Sequence, residues 1–267
     1  VEAGRGTGPE VDGRIDFTRI IREPVERGYD RTRWIARPRW CGCATNCEGS
    51  WAGDQEKIRT VFNVCPRCGE YSEKKTIDPD GPFAICPSCG HRHRFMRLPL
   101  FVITGASGVG KTTIALNLAS SFQGCITLDS DILWGAVATA ADDHYRTYRN
   151  TWLRLVKNIG QAGRPVALVG TALPEQFEEC SERRYFAQIH YLALVCDDAA
   201  LAERLRARPA WRASGGEDVV EAMLRFNAYL KANSSTTSPP MSRLDTTYVS
   251  VDESAAATMA WIRERLP

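Results

Sequence analysis

The chain has 267 residues, 43% hydrophobic and 25% charged, with 34 basic side chains against 32 acidic ones for a net charge of +2. That length exceeds one typical domain of roughly 100 to 200 residues, and the composition suits a chain that buries a core. The near-neutral balance makes no electrostatic case for nucleic acid. No apolar run approaches the roughly 18 residues that span a membrane, and the polar opening VEAGRGTGPEVDGRIDF lacks the apolar centre of a signal peptide. The expectation is a cytoplasmic protein with no membrane partner.

Residues 1–37 carry glycine, arginine and acidic residues with little periodicity, and read as an N-terminal extension with no assigned chemistry. Residues 38–97 form a cysteine-rich module, with seven of the ten cysteines lying between Cys41 and Cys89. In a reducing compartment such clustering favours metal over disulfides. Cys65-Pro-Arg-Cys68-Gly and Cys86-Pro-Ser-Cys89-Gly are separated by 17 residues. Each knuckle turn aims two thiolates at one centre, and four thiolates complete a closed tetrahedral shell for a structural zinc ion. The spacing resembles that of the zinc ribbons. Cys41, Cys43 and Cys47, with His91 or His93, offer a second metal site or are small packing residues. For the ribbon two roles stand open. Arg67, Lys74, Lys75, Arg92, Arg94 and Arg97 with Tyr71 and Phe95 could touch phosphates and stack bases. Alternatively the ribbon braces the following domain or covers its acceptor site, which is the slightly favoured role.

From Leu98 the pattern becomes apolar strands alternating with amphipathic helices, which predicts an α/β domain over 98–267 with a five-stranded parallel sheet flanked by helices. Strands are expected at 98–105, 125–131, 165–172, 189–197 and 245–251. Helices are expected over Lys111–Ser121, Asp142–Gln161, Pro174–Glu182, Asp198–Ala207, Glu217–Ala232 and Glu253–Leu266, with 233–242 as a loop. Cys125, Cys180 and Cys196 fall in these segments as packing residues.

Between the first strand and first helix, Gly105-Ala-Ser-Gly-Val-Gly110-Lys111-Thr112 fits G-x-x-x-x-G-K-[ST] at every fixed position. Glycines let such a loop curl so that its N–H groups point inward, at the positive end of the following helix. Gly105, Ser107, Gly108, Val109, Gly110, Lys111, Thr112 and Thr113 are therefore the expected nucleotide-binding residues. Lys111 should reach the β- and γ-phosphates, and the Thr112 hydroxyl should ligate Mg²⁺.

The second strand closes on Asp129-Ser130-Asp131, whereas the third, PVALVGTA, ends without a carboxylate. In an open parallel sheet the carboxyl ends of neighbouring strands face one crevice. Asp129 could then hold a Mg²⁺-bound water while Asp131 accepts the proton of an acceptor hydroxyl. The plainer alternative is that the pair caps the next helix.

With GASGVGKT, LDSD and an arginine-rich segment after the fourth strand, residues 98–266 resemble the small P-loop kinases: shikimate, gluconate and adenylylsulfate kinases, antibiotic phosphotransferases and the kinase domain of polynucleotide kinases. The resemblance implies that the first aspartate of the pair, Asp129, helps with Mg²⁺ and the second, Asp131, contacts the acceptor. It implies a mobile lid in ERLRARPAWRASGGED, with Arg208 and Arg212 neutralising charge on the transferred group, and Gly215 and Gly216 as a hinge. It places Arg149, beside Tyr148, in the acceptor pocket and the last strand-helix junction near the adenine, while Gly170 and Thr171, at the carboxyl end of the third strand, are read as a second candidate wall. By helical spacing alone, Tyr145, Tyr148 and Trp152 read as core.

The leading expectation is an ATP- and Mg²⁺-dependent phosphotransferase acting on a hydroxyl of a small molecule such as a nucleoside, sugar or antibiotic. Two alternatives remain beside it. One is a polynucleotide 5′-hydroxyl kinase using the ribbon for nucleic acid, and the other is a regulatory NTPase whose ribbon contacts a protein.

Overall fold

The computed structural model describes residues 62–134, 137, 145–209 and 216–267. The N-terminal extension, Cys41, Cys43, Cys47 and Arg212 lie outside the described residues. The described residues all belong to one compact unit.

The ribbon comes first. Strands β1 (Thr76–Ile77), β2 (Phe83–Ile85) and β3 (Arg92–Arg94) form a small antiparallel sheet in that order. Its two knuckles repeat one hydrogen-bond pattern: Gly69 N–H donates to Cys65 O at 2.9 Å and Gly90 N–H to Cys86 O at 3.0 Å. Gly69 and Gly90 have φ of 77° and 69°, a left-handed conformation that favours glycine at the turn.

The larger sheet holds β4 (Leu100–Gly105), β5 (Ile126–Asp129), β6 (Val166–Val169), β7 (Ile189–Val195) and β8 (Ser242–Asp245), all parallel, in the order β5-β6-β4-β7-β8. Strands β4 and β6 are buried throughout, as their unbroken apolar runs require of a sheet covered on both faces. Six helices accompany them among the described residues: α1 (Lys111–Ser121), α2 (Arg146–Gly160), α3 (Pro174–Glu178), α4 (Asp198–Arg206), α5 (Glu217–Asn233) and α6 (Val251–Arg263). Helices α1 and α6 pack together, as do α4 and α5. Asp129, Val169 and Ile103 share one register row, so the segments that follow β5, β6 and β4 emerge at one edge of the sheet.

The closing strand differs from the sequence expectation. It is Ser242–Asp245 and not 245–251. Asp245 Oδ1 accepts from the Thr247 N–H at 2.9 Å, and Ser250 and Glu253 form a reciprocal capping box that starts α6 at Val251. These local side-chain bonds override the strand preference of the Thr-Thr-Tyr-Val run.

Candidate functional site

The glycine-rich loop follows the central strand β4 and is held from three sides. A Cβ at Gly108 would lie 2.9 Å from Leu201 Cδ1 of α4, so the loop packs onto that helix only with glycine there, and its φ of 96° favours glycine as well. From α5, Met223 Sδ accepts the Ser107 N–H at 3.2 Å. From beyond β8, the buried Thr246 hydroxyl lies 3.0 Å from Val109 O and 3.2 Å from Val195 O, able to donate to either. Helix α1 begins at Gly110 with no side-chain cap and no acidic residue in its first turn. Its leading N–H groups are therefore left for an anion. Lys111 Nζ folds back to donate to Gly105 O at 2.7 Å and Ala106 O at 3.0 Å.

Burial lowers the Lys111 ammonium to about 8; Asp131 opposes that shift, Arg208 adds to it and Asp129 opposes it. These three side chains therefore share the lysine's electrostatic surroundings. Asp129 sits two strand spacings, about 10 Å, from β4. Asp129 Oδ1 accepts the Asp131 N–H at 3.0 Å and caps the 3-10 turn Ser130–Leu133. Capping uses one carboxylate oxygen, so it is compatible with metal binding through the other.

Tyr148, buried on α2, donates its hydroxyl to Ser130 O at 2.5 Å. Arg149 Nε donates to Gln176 O of α3 at 3.1 Å, which fixes the segment after β6. Gly170, at the end of β6, donates its N–H to Ile103 O at 3.0 Å and lies against Ser130, while Thr171 Oγ1 is 3.4 Å from Gly105 O. Trp152 is fully buried, whereas Trp134 stays 42% exposed beside the rings of Tyr145 and Tyr148.

In the ribbon, the sulfurs of Cys65, Cys68, Cys86 and Cys89 all lie within 4.8 Å of one another, with Cys65–Cys89 at 3.7 Å and Cys68–Cys86 at 3.8 Å. A tetrahedron with metal–sulfur bonds of about 2.3 Å has edges of about 3.8 Å. The donor set therefore fits a metal ion. The buried Lys75 ammonium adds a second sign of fit: it donates to Phe62 O at 2.5 Å and lies 3.1 Å from His93 Nε2, with the Cys65, Cys86 and Cys68 sulfurs raising its proton affinity against burial. It supplies a countercharge for a thiolate shell.

Sequence reading missed the seam between ribbon and α/β domain. Phe62, Ala84, Phe95 and Tyr185 form one buried cluster, and Tyr185 Oη sits 3.0 Å from Glu73 O and 3.1 Å from Lys75 O. Lys157, 1% exposed, pairs with the equally buried Glu182 at 2.7 Å and donates to Asn63 Oδ1 at 3.0 Å. The Lys75 and Lys157 ammonium groups lie 5.3 and 4.6 Å from the Phe62 ring centre. The available signal was Lys157 falling on the apolar stripe of α2 with Leu153, Val156 and Gly160. Of the residues named for base stacking and phosphate contact, Phe95 and Lys75 belong to this seam and its core.

The central strand, glycine-rich loop and strand order define a P-loop domain preceded by a four-cysteine ribbon. Residues 100–229 match the AAA domain family. No curated protein sequence matches the chain. Among solved structures it is similar to a gluconokinase from Sinorhizobium meliloti 1021, with 17% identity, a TM-score of 0.46 and coverage of 64% of this chain and 97% of that one. It is also similar to a sugar kinase from Janibacter sp. HTCC2649, with 18% identity, TM-score 0.47 and coverage of 62% and 95%. A third is the tunicamycin resistance protein of Deinococcus radiodurans, with 18% identity, TM-score 0.45 and coverage of 62% and 96%. Among the described residues no helix is long and apolar enough to cross a membrane.

Proposed function

We propose that the chain is a P-loop kinase that moves the γ-phosphoryl group of ATP to a hydroxyl of a small-molecule acceptor. The observation that carries this reading is the Asp129-Ser130-Asp131 turn sharing the surroundings of Lys111 while β6 ends without a carboxylate. Two carboxylates at the carboxyl end of β5, facing the crevice beyond the strands, are suited to holding Mg²⁺ and to accepting a proton.

In this reading the loop N–H groups and Lys111 hold the β- and γ-phosphates. Asp131 takes the proton of the acceptor hydroxyl as its oxygen forms the bond to the γ-phosphorus and the bond to the β-γ bridging oxygen breaks, leaving ADP. Arg208, and Arg212 from outside the described residues, offset charge on the transferred group. Thr112 and Asp129 supply the hard oxygen ligands that would hold Mg²⁺, which neutralises phosphate charge when bound. Tyr148, Arg149, Gly170 and Thr171 border the acceptor side. Cys65, Cys68, Cys86 and Cys89 hold a structural zinc ion, and the buried seam supports a bracing role for the ribbon over base stacking.

Incubation of the protein with Mg²⁺ and γ-labelled ATP against pools of nucleosides, sugars, antibiotics and 5′-hydroxyl oligonucleotides tests the reading. Label should enter one small-molecule pool and stay out of it with Asp131→Asn. Release of inorganic phosphate at one rate in every tube would instead indicate an NTPase, and label on the oligonucleotides would indicate a polynucleotide kinase.

A further inference from the structure

Helix α2 is engaged at both ends. In its C-terminal half Arg154 Nη2 meets Glu73 of the ribbon at 2.5 Å, Lys157 Nζ reaches Asn63, and Gln161 exchanges two hydrogen bonds with the Met96 backbone at 2.8 and 3.1 Å. Nine residues before Lys157, or about 14 Å along the axis, Tyr148 donates to the carbonyl of Ser130, the middle residue of the aspartate turn. The phosphate loop is held differently, by α4, α5 and Thr246.

We propose that the ribbon is a positioning element for the acceptor side of the site. It fixes the place of α2, and Tyr148 passes that place to Asp129-Ser130-Asp131. Tyr148 is thus a positioning residue, and the four-cysteine centre is needed for acceptor use and not for nucleotide binding. The ribbon side of the seam is short chain: Asn63, Glu73 and Lys75 lie between or beside the knuckles, with a core of a few side chains. Segments of that size depend on a metal cross-link to stay folded. Loss of the cross-link frees Glu73 and Asn63 from Arg154 and Lys157, and with them the position of Tyr148.

The acceptor half of this inference rests on the kinase reading; the mechanical half does not. Tyr148→Phe in the full, metal-loaded chain keeps the ring against Trp134 and removes only the hydroxyl. It should reduce acceptor kcat/KM by about tenfold to hundredfold while the ATP dissociation constant stays within about twofold. Amide exchange over 130–134, where the Asp131 and Trp134 N–H groups are bonded, should accelerate at short labelling times while 101–110 keeps its protection. Treatment with a zinc chelator, and Lys157→Met with metal retained, should reproduce that exchange pattern. Unchanged exchange over 130–134 in Tyr148→Phe, or equal loss of protection at 101–110 on chelation, overturns the proposal whatever the reaction. The expected exchange pattern in a protein that phosphorylates no acceptor supports the mechanical link and removes the kinase reading.

Discussion

A Cβ added at Gly170 would lie 2.0 Å from Ser130 Oγ and 2.7 Å from Ser130 Cβ. The ends of β6 and β5 therefore meet only because position 170 carries no side chain. Gly170→Ala should push the aspartate turn outward and reduce phosphoryl transfer by about tenfold to hundredfold, as misplacement on the ångström scale does. Nucleotide affinity, measured by calorimetry, should remain. Full turnover in Gly170→Ala would show that the turn can shift without consequence.

Nucleotide affinity should depend on pH through Lys111. In the free protein its ammonium is lowered to about 8, against 10.5 for an ordinary lysine. Between these values the unfolded chain holds the extra proton, so the burial penalty of this group on folding is full below about pH 8 and is released as pH rises towards 10.5. A bound phosphate has the opposite preference, since it stabilises the ammonium. Affinity for a fluorescent ATP analogue without divalent metal should be full below about pH 8 and fall above it by at most about tenfold per unit. A flat profile up to about pH 9.5 would contradict the burial that lowers the lysine.

Lys157 and Glu182 form an ion pair with side chains 1% and 2% exposed. Among the described residues, Lys157→Met leaves Glu182 in the seam with Arg154, at 3.4 Å, as its ion-pair partner. Loss of one member of such a pair costs about 3–5 kcal/mol, whereas exchange of both for apolar residues is close to neutral. Urea unfolding of Lys157→Met and of Lys157→Met with Glu182→Leu should reproduce that contrast. Equal destabilisation in both would mean that the pair itself holds ribbon and domain together.

Metal analysis of the purified protein should return zinc, and Cys68→Ser with Cys89→Ser, which removes one thiolate from each knuckle, should lower the count by one ion per chain. An unchanged count in that variant would place the ion on other ligands.

Much of this architecture was written locally in the chain. The loop from Gly105 to Thr112, the helix Lys111–Ser121 and the paired Cys-x-x-Cys turns each depend on neighbours a few positions away, and each stands where the pattern puts it. Strand β8 did not, because Ser-Arg-Leu-Asp gains its partner only from β7, while the more strand-like run after it is taken by side-chain caps. The seam was hidden for the same reason. A lysine at 157 reads as surface until Phe62, Asn63 and Glu182, far away in sequence, are brought around it.

Thr246 lies 137 positions after Val109, whose carbonyl is within reach of its hydroxyl. The loop thus meets one of its partners only after a further 137 residues have been made. Nascent chains arrested just before Thr246 should be retained less well on immobilised ATP than chains arrested far enough beyond it for this residue to clear the exit tunnel. Nucleotide capture would then report that translation has passed β8, and ATP would bind chains that extend beyond it in preference to shorter ones.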